Sequence, residues 1–398
     1  MAAPWKQMHG MSDDLDVKIQ KITVRERSAS ISYSILAAFC LSRIACSAFV
    51  YFGHSQRPFL SPVIGGWEGI PHWWLNPWTT YDSEWYIRIA LHGYDTQSTG
   101  FFPLYPWLLR IFSRDQQFMA WAGVAISHLA FLVALFLVFR LTELEWDRRT
   151  AHLTVWLLAF TPAAPFWGAV YTESVFLMLL VATFLAARTE KWWLAGCLGV
   201  LAALCRNPGF LIAGALLLEG VHRRQQNDSW GRRLAWVLPL AAFIGVQASL
   251  WWSFNNPLAG ATAHFYRELD WPWVPIIRDI ESLITNTYAP SFFIKTASGL
   301  IFTLTGLLLP LLGWNKIRPG YLLIVGGITL MNLTYAYQLP PQTISATRYM
   351  APLFPVAQSL ALVLGQNIST RKTLIVIGCW LYLFIIFSYM FGQKSYLG

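Results

Sequence analysis

The stretch TTYDSEWYIRIALHGY, residues 79–94, places an Asp, a Glu, an Arg and a His within a dozen positions of a largely apolar chain. Glu84, Arg88 and His92 recur every four residues. That spacing stacks them on one helix face, with Glu84 in the favourable order ahead of Arg88. Trp85, Ile89 and Leu91 are left for the apolar side, so the segment predicts a short amphipathic helix lying at a membrane surface. Asp82 stands just before it. It can act as an N-cap that satisfies first-turn amides. It can also be a carboxylate at the membrane–water boundary, the general base for a hydroxyl nucleophile. Both roles fit one residue, because a capping bond also fixes orientation. Arg88 can reach a phosphate, but pairing with Glu84 is the simpler expectation. Asp82 and Glu84 together offer two carboxylates where a divalent ion wants several oxygens. A metal there is not the favoured reading, and no cofactor is required.

Other charges stand in apolar surroundings. Glu173 opens an apolar run after AVYT. There it is either a first-turn acid favoured by the helix dipole or a second catalytic carboxylate. Arg206 lies in the middle of an apolar block, in CRNPG. A helix broken at such a point exposes backbone to a ligand, an intramembrane Arg points to function, and an anionic phosphate is its natural partner. A structural ion pair is the alternative. Arg348 and Tyr349 precede a late apolar run; Arg348 is a snorkelling anchor or a second phosphate ligand. Arg43, inside the first apolar run, should face protein rather than lipid. His264, Tyr266 and Arg267 read as a solvated loop face.

The elements that must position these residues are membrane spans. Apolar runs fall at about 31–52, 118–141, 151–169, 172–188, 234–254, 292–313, 320–338, 350–366 and 373–392. The block at 192–219 is split at Arg206–Gly209 into two short helices, because the basic segment after it belongs on the cytoplasmic side. The result is an all-α polytopic bundle of about 11 helices with the N-terminus inside and the C-terminus outside. Residues 1–30 form a cytoplasmic segment, 31–392 one integral domain, and 393–398 a tail. Five pieces share the non-cytoplasmic side: the 53–117 loop, the WGAVYTES turn, the CRNPG break, the 255–291 loop and the TISATRY loop. Pro103 and Pro106 predict a bent or re-entrant interfacial piece within the first of them.

Composition agrees. The 398 residues are 56% hydrophobic and 12% charged, about half the charged share of a soluble domain. The net charge of +9 lies in short inter-helix loops, where it sets orientation and does not imply nucleic acid. The five cysteines fall in or beside apolar runs without zinc-ligand spacing and read as core thiols. The polar start does not have the shape of a cleaved signal peptide, so the first run reads as a retained anchor. Of three glycosylation sequons, Asn227 and Asn367 are placed on the cytoplasmic side and Asn332 inside a span.

The order YDSEWYIRIALHGY, GFFPLYPWLLRIF, TPAAPFWGAVYTESVFLMLL and WWLAGCLGVLAALCRNPGFLIAG, with SATRYMAPLFPV later, resembles the PIG-V family of GPI mannosyltransferase 2. The resemblance covers residues 30–220 best. It implies a GT-C-type bundle, an active site on the non-cytoplasmic side, and mannose transfer from a polyprenyl or dolichyl phosphate mannose. Asp82 and Glu173 match the family's acidic positions, Arg206 its R-x-x-G break, and Arg348 a basic position before a late span. Glu84, Trp85, Arg88, His92, Tyr105, Tyr171 and Tyr349 would then shape the substrate site. Tyr81 replaces a common Trp or Phe, CRNPG replaces a Ser-Asn-Gly version, and the chain is short, which points towards a bacterial relative. The implied partners are the bilayer, the lipid-phosphate donor, a lipid-linked glycan acceptor and a small membrane subunit, in an inner membrane or the endoplasmic reticulum. A lipid-linked sugar flippase and a non-catalytic subunit of a transferase complex are the alternatives.

Overall fold

In the computed structural model, the described residues are 5–56, 72–222, 230–256, 267–285, 290–312, 317–337, 340–350, 353–365 and 369–394. They are helical almost throughout. In chain order the helices are α1 (Trp5–Gln56), α2 (Asp82–His92), α3 (Leu104–Phe112), α4 (Gln116–Glu145), α5 (Arg148–Ala159) and α6 (Glu173–Arg188). There follow α7 (Trp192–Cys205), α8 (Leu211–His222), α9 (Trp230–Leu234), α10 (Val237–Phe254) and α11 (Val274–Thr285). The last are α12 (Pro290–Leu312), α13 (Pro319–Thr334), α14 (Ala346–Met350), α15 (Phe354–Gly365) and α16 (Thr370–Gly392). The one sheet among the described residues is a ribbon, in which Arg267–Leu269 pairs antiparallel with Tyr335–Tyr337.

Five stretches are long and apolar enough to cross a membrane: residues 31–56, 116–145, 230–254, 290–309 and 370–392. Four shorter apolar helices join them, at 192–205, 207–221, 319–334 and 354–365. The chain is a multi-pass membrane protein. Helices of 12 to 16 residues, such as α5, α8 and α13, reach only about 18–24 Å. They fall short of a roughly 30 Å hydrocarbon core, so the eleven expected segments are not eleven equal crossings.

The breaks have local causes. The run expected as 151–169 stops at Ala159, because Pro162 and Pro165 cannot continue the ladder. A single 3₁₀ turn, Ala164–Trp167, follows. Arg43 reaches across from α1 and donates to the carbonyls of Ala164 (2.8 Å) and Ala159 (3.3 Å), with its guanidinium 5.0 Å from the Phe131 ring. It is buried in protein, as expected, and it satisfies carbonyls that the broken helix leaves open. The second break is the predicted one. Arg206 is extended between α7 and the 3₁₀ turn Asn207–Phe210. A Cβ on Gly209 would lie 2.4 Å from the Ala202 carbonyl oxygen, so the return of the chain onto α7 needs a glycine there.

Other expectations fare differently. α1 extends back to Trp5, so the polar N-terminal segment continues the first helix. The 320–338 run ends as helix at Thr334 and becomes a strand. Arg267 opens the opposite strand, while His264 and Tyr266 lie outside the described residues, as do Asn227 and Asn367. Asn332 is buried in α13. Cys46 and Cys205 are buried, but Cys40, Cys197 and Cys379 are on the outside of the bundle, so core thiols describes only two of the five.

Candidate active site

α6 runs through the core, and its first residue organises the site. The Glu173 side chain is fully enclosed. Its Oε1 lies 2.7 Å from Arg206 Nη1 and 2.5 Å from Arg348 Nε, while its Oε2 has no hydrogen-bond partner. Arg348 also reaches Asp82, with Nη1 2.5 Å from Oδ2. Asp82 is the open end of this chain of charges: its side chain is 26% exposed, against 7% for Arg348 and 8% for Arg206. Aromatic rings line both cations. Arg348 sits 4.6 Å from the Tyr171 ring and 5.6 Å from Phe166, and Arg206 lies 5.5 Å from Tyr349 and 6.0 Å from Phe176. Flat apolar faces carry a guanidinium without competing for its donors.

The four charges come from four separated segments: α2, the start of α6, the α7 break and α14. Four of the five pieces predicted to share one side of the membrane therefore supply these charges, and the fifth, the 255–291 segment, touches the TISATRY loop through Asp279 and Thr343. Residues 69–227 match the mannosyltransferase (PIG-V) family model. The PIG-V match holds Asp82, Glu173 and Arg206; Arg348 lies beyond it and is brought in by the fold. Among curated proteins nothing matches. Among solved structures, the oligosaccharyltransferase AglB of Archaeoglobus fulgidus, in complex with an inhibitory peptide and a dolichol-phosphate, overlaps 92% of this chain and 56% of its own, at 15% identity and TM-score 0.48. ArnT of Cupriavidus metallidurans, bound to undecaprenyl phosphate, overlaps 89% of this chain and 76% of its own, at 12% identity and TM-score 0.45. The chain spans about half the length of the oligosaccharyltransferase chains it overlaps.

The segment around Asp82 departs from its sequence reading in three ways. First, Asp82 is not the N-cap. It is the first residue of α2; the cap position is Tyr81, which makes no side-chain capping bond. The Asp82 carboxylate turns to Arg348 instead. Tyr81 holds φ 57°, ψ −120°, a left-handed conformation that costs a non-glycine residue about 1–3 kcal/mol and persists only where surroundings enforce it. Its hydroxyl donates to the Lys394 carbonyl beyond α16. Second, α2 is not a surface helix: Ser83, Glu84, Tyr86, Ile87, Ile89 and Ala90 are all buried. Third, Arg88 pairs with Asp95 at 2.7 Å and stacks over Trp85, leaving Glu84 without it.

Glu84 is two residues from Asp82 and so points to a different side of the helix. Burial pushes its carboxyl up to about 8, an effect that nearby Lys394 opposes and Asp82 reinforces. The two acids serve different surroundings, and among the described residues no cluster of His, Cys, Asp and Glu is arranged to hold a metal.

The substrate-shaping candidates divide. Trp85 stacks on Phe101 at 5.6 Å, and His92 is exposed at the helix end. Tyr171 lies under Arg348 and donates to the Thr80 carbonyl at 3.2 Å, tying the strained turn to the arginine. Tyr105 is fully buried and bonds Gly123 and Ser127, so it supports the site from behind. Tyr349 flanks Arg206. The sequence reading missed Tyr86, which sits one turn after Asp82. Its hydroxyl lies 3.3 Å from Thr172 Oγ1, and its ring meets Tyr105 edge-on at 5.3 Å. The i, i+4 spacing from Asp82 was the available signal.

Proposed function

We propose that this chain is a membrane mannosyltransferase. It moves mannose from a polyprenyl or dolichyl phosphate mannose to a lipid-linked glycan, a GPI-like precursor or a bacterial glycolipid, with inversion at the anomeric carbon. The reaction takes place at the non-cytoplasmic surface, of the inner membrane in a bacterium or of the endoplasmic reticulum in a eukaryote. The PIG-V match supports the enzyme class. The observation that carries the mechanism is the Asp82–Arg348 contact, which puts a solvent-reached carboxylate against a buried cation.

Each group has a task. The acceptor hydroxyl gives its proton to Asp82 as its oxygen attacks the anomeric carbon. The bond from that carbon to the phosphate oxygen breaks, and its electron pair leaves with the phosphate. The donor phosphodiester carries one negative charge and the departing phosphomonoester carries two. Arg348 and Arg206 meet the added charge where it develops, which is the form of stabilisation that accelerates such steps most. As Arg348 turns to the phosphate, the Asp82 carboxylate is released from its ion pair and is free to meet the acceptor hydroxyl. Glu173 is enclosed and touches both arginines, so it acts by holding them and does not contact the sugar. No metal or cofactor enters the scheme.

The test uses purified protein in liposomes with synthetic polyprenyl phosphate mannose and a lipid extract of its host, followed by mass spectrometry. Product from the parent and about 10²–10⁴-fold less from a folded Asp82→Asn supports the scheme. Equal product from both removes Asp82 from the chemistry. Lipid-linked sugar crossing the bilayer without glycosidic product makes the protein a flippase.

A further inference from the structure

Arg348 belongs to α14, a helix of five residues. A single turn spends nucleation entropy with almost no propagation to repay it, so its place must be set by whatever holds its entry. That entry is the segment 340–345. The Thr343 carbonyl accepts from Ala346 N–H at 2.9 Å and so starts the turn, and Ser345 accepts from Tyr349 N–H at 2.9 Å. Thr343 is in turn gripped from two sides. Asp279 on α11 accepts the Gln342 N–H at 2.7 Å, the Thr343 N–H at 2.8 Å and the Thr343 hydroxyl at 2.7 Å. On the other side Gly299 of α12 packs so closely that a Cβ would lie 2.7 Å from the Thr343 carbonyl oxygen.

α11 is built for this grip and for little else. Pro275, Asp279 and Ser282 face inward and are buried, while Ile277, Ile280 and Ile284 face outward and are exposed. Arg278 and Glu281 are exposed beside these isoleucines, the mixed outer face of a helix suited to a membrane–water boundary. A fully buried Asp with three donors at 2.7–2.8 Å is a specific clamp, and no neighbouring cation is needed to account for it.

We propose that Asp279 is a positioning residue for Arg348: it clamps the entry of α14 so that one guanidinium reaches both Asp82 and Glu173. The proposal rests on the functional reading only for its effect on turnover, so the deciding experiment reads the arginine directly. Folded Asp279→Ala, Ser282→Ala and parent protein are treated with phenylglyoxal in detergent, and modification of Arg348 is mapped by mass spectrometry. Ser282 is the matched control, because its hydroxyl bonds the Asp279 backbone carbonyl at 2.8 Å and is equally buried. The expected result is a rise in Arg348 modification of about tenfold in Asp279→Ala alone. Asp279→Asn, which keeps an acceptor oxygen, should fall between Asp279→Ala and the parent. Unchanged protection of Arg348 in a folded Asp279→Ala overturns the proposal. If Asp279→Ala does not fold, Asp279→Asn carries the test, and full protection there overturns it equally. In the transfer assay, Asp279→Ala should lower kcat in the parent background and have no further effect in Arg348→Ala; additive losses would mean a purely structural role. Failure of the parent to transfer mannose would refute the functional reading and leave the labelling result standing.

Discussion

The two ends of α6 each bury an arginine against carboxylates, and they are built for different ends. At the first residue, Glu173, two arginines share one carboxylate oxygen and one of them goes on to Asp82. At the last residue, Arg188, one arginine is enclosed by two carboxylates. It bonds both oxygens of Glu219, lies 2.8 Å from Glu145 and stacks on Tyr321, whose hydroxyl donates to Glu145 at 2.6 Å. Each end leaves one carboxylate oxygen, Glu173 Oε2 or Glu145 Oε2, without a hydrogen bond. Spare acceptors therefore do not separate them. Access does. The side chains at the Arg188 end are 2–4% exposed, whereas Asp82 is 26% exposed. A two-pronged Arg–carboxylate pair fixes geometry; an arginine divided between two carboxylates, one of them open to solvent, can change partner. The comparison teaches that a buried ion cluster signals function when one member remains within reach of a ligand.

The comparison breaks most easily at the closed end. Arg188→Met leaves Glu145 and Glu219 buried without their cation and should cost about 3–5 kcal/mol, read as a lower melting temperature in detergent. Transfer per folded molecule should not change, and a large loss of kcat would mean the two ends are coupled. At the open end, Arg348→Ala should lower kcat by about 10²–10³-fold, or about 2.7–4 kcal/mol of transition-state stabilisation, with a much smaller change in melting. Should the two variants show the same pattern, the distinction between the ends is wrong.

Gly209→Ala is expected to have a smaller effect, about 1–3 kcal/mol of overpacking, and to move Arg206 with the break. Both melting temperature and apparent donor affinity should fall together; a change in melting alone would separate Arg206 from the geometry of its turn. The smallest effect concerns Glu84. Its carboxyl titrates near 8 in the folded protein, above its ordinary value. A raised acid contributes stability that is present below the unfolded value and lost as pH rises through the folded one. The Glu84→Gln variant should match the parent at about pH 4 and melt higher than it at about pH 9. A constant difference across that range would show that Glu84 is not titrating there.

Much of this was legible beforehand, for local reasons. Apolar runs located most of the membrane helices, and the Pro-Gly pair at 208–209 located the break that exposes Arg206. The charges that matter were visible as charges out of place in apolar sequence. Their partners were not. Arg88 was expected with Glu84 on helical spacing alone, yet Asp95, folded back by its own turn to Ser98, lies nearer. Asp279 was passed over because the 255–291 segment was read as a loop without a helix, and only the packing of α11 shows Asp279 turned inward.

The sequence by itself determined most of the helical segments, the break at Arg206 and which side chains carry charge. These follow from periodicity and from backbone chemistry acting over a few residues. Only the tertiary structure decided that Asp82 meets Arg348, that Glu173 gathers both arginines, and that Glu84 is turned away. Such pairings join segments far apart in the chain. They are selected by how the helices pack and by the cost of burying any charge without a partner.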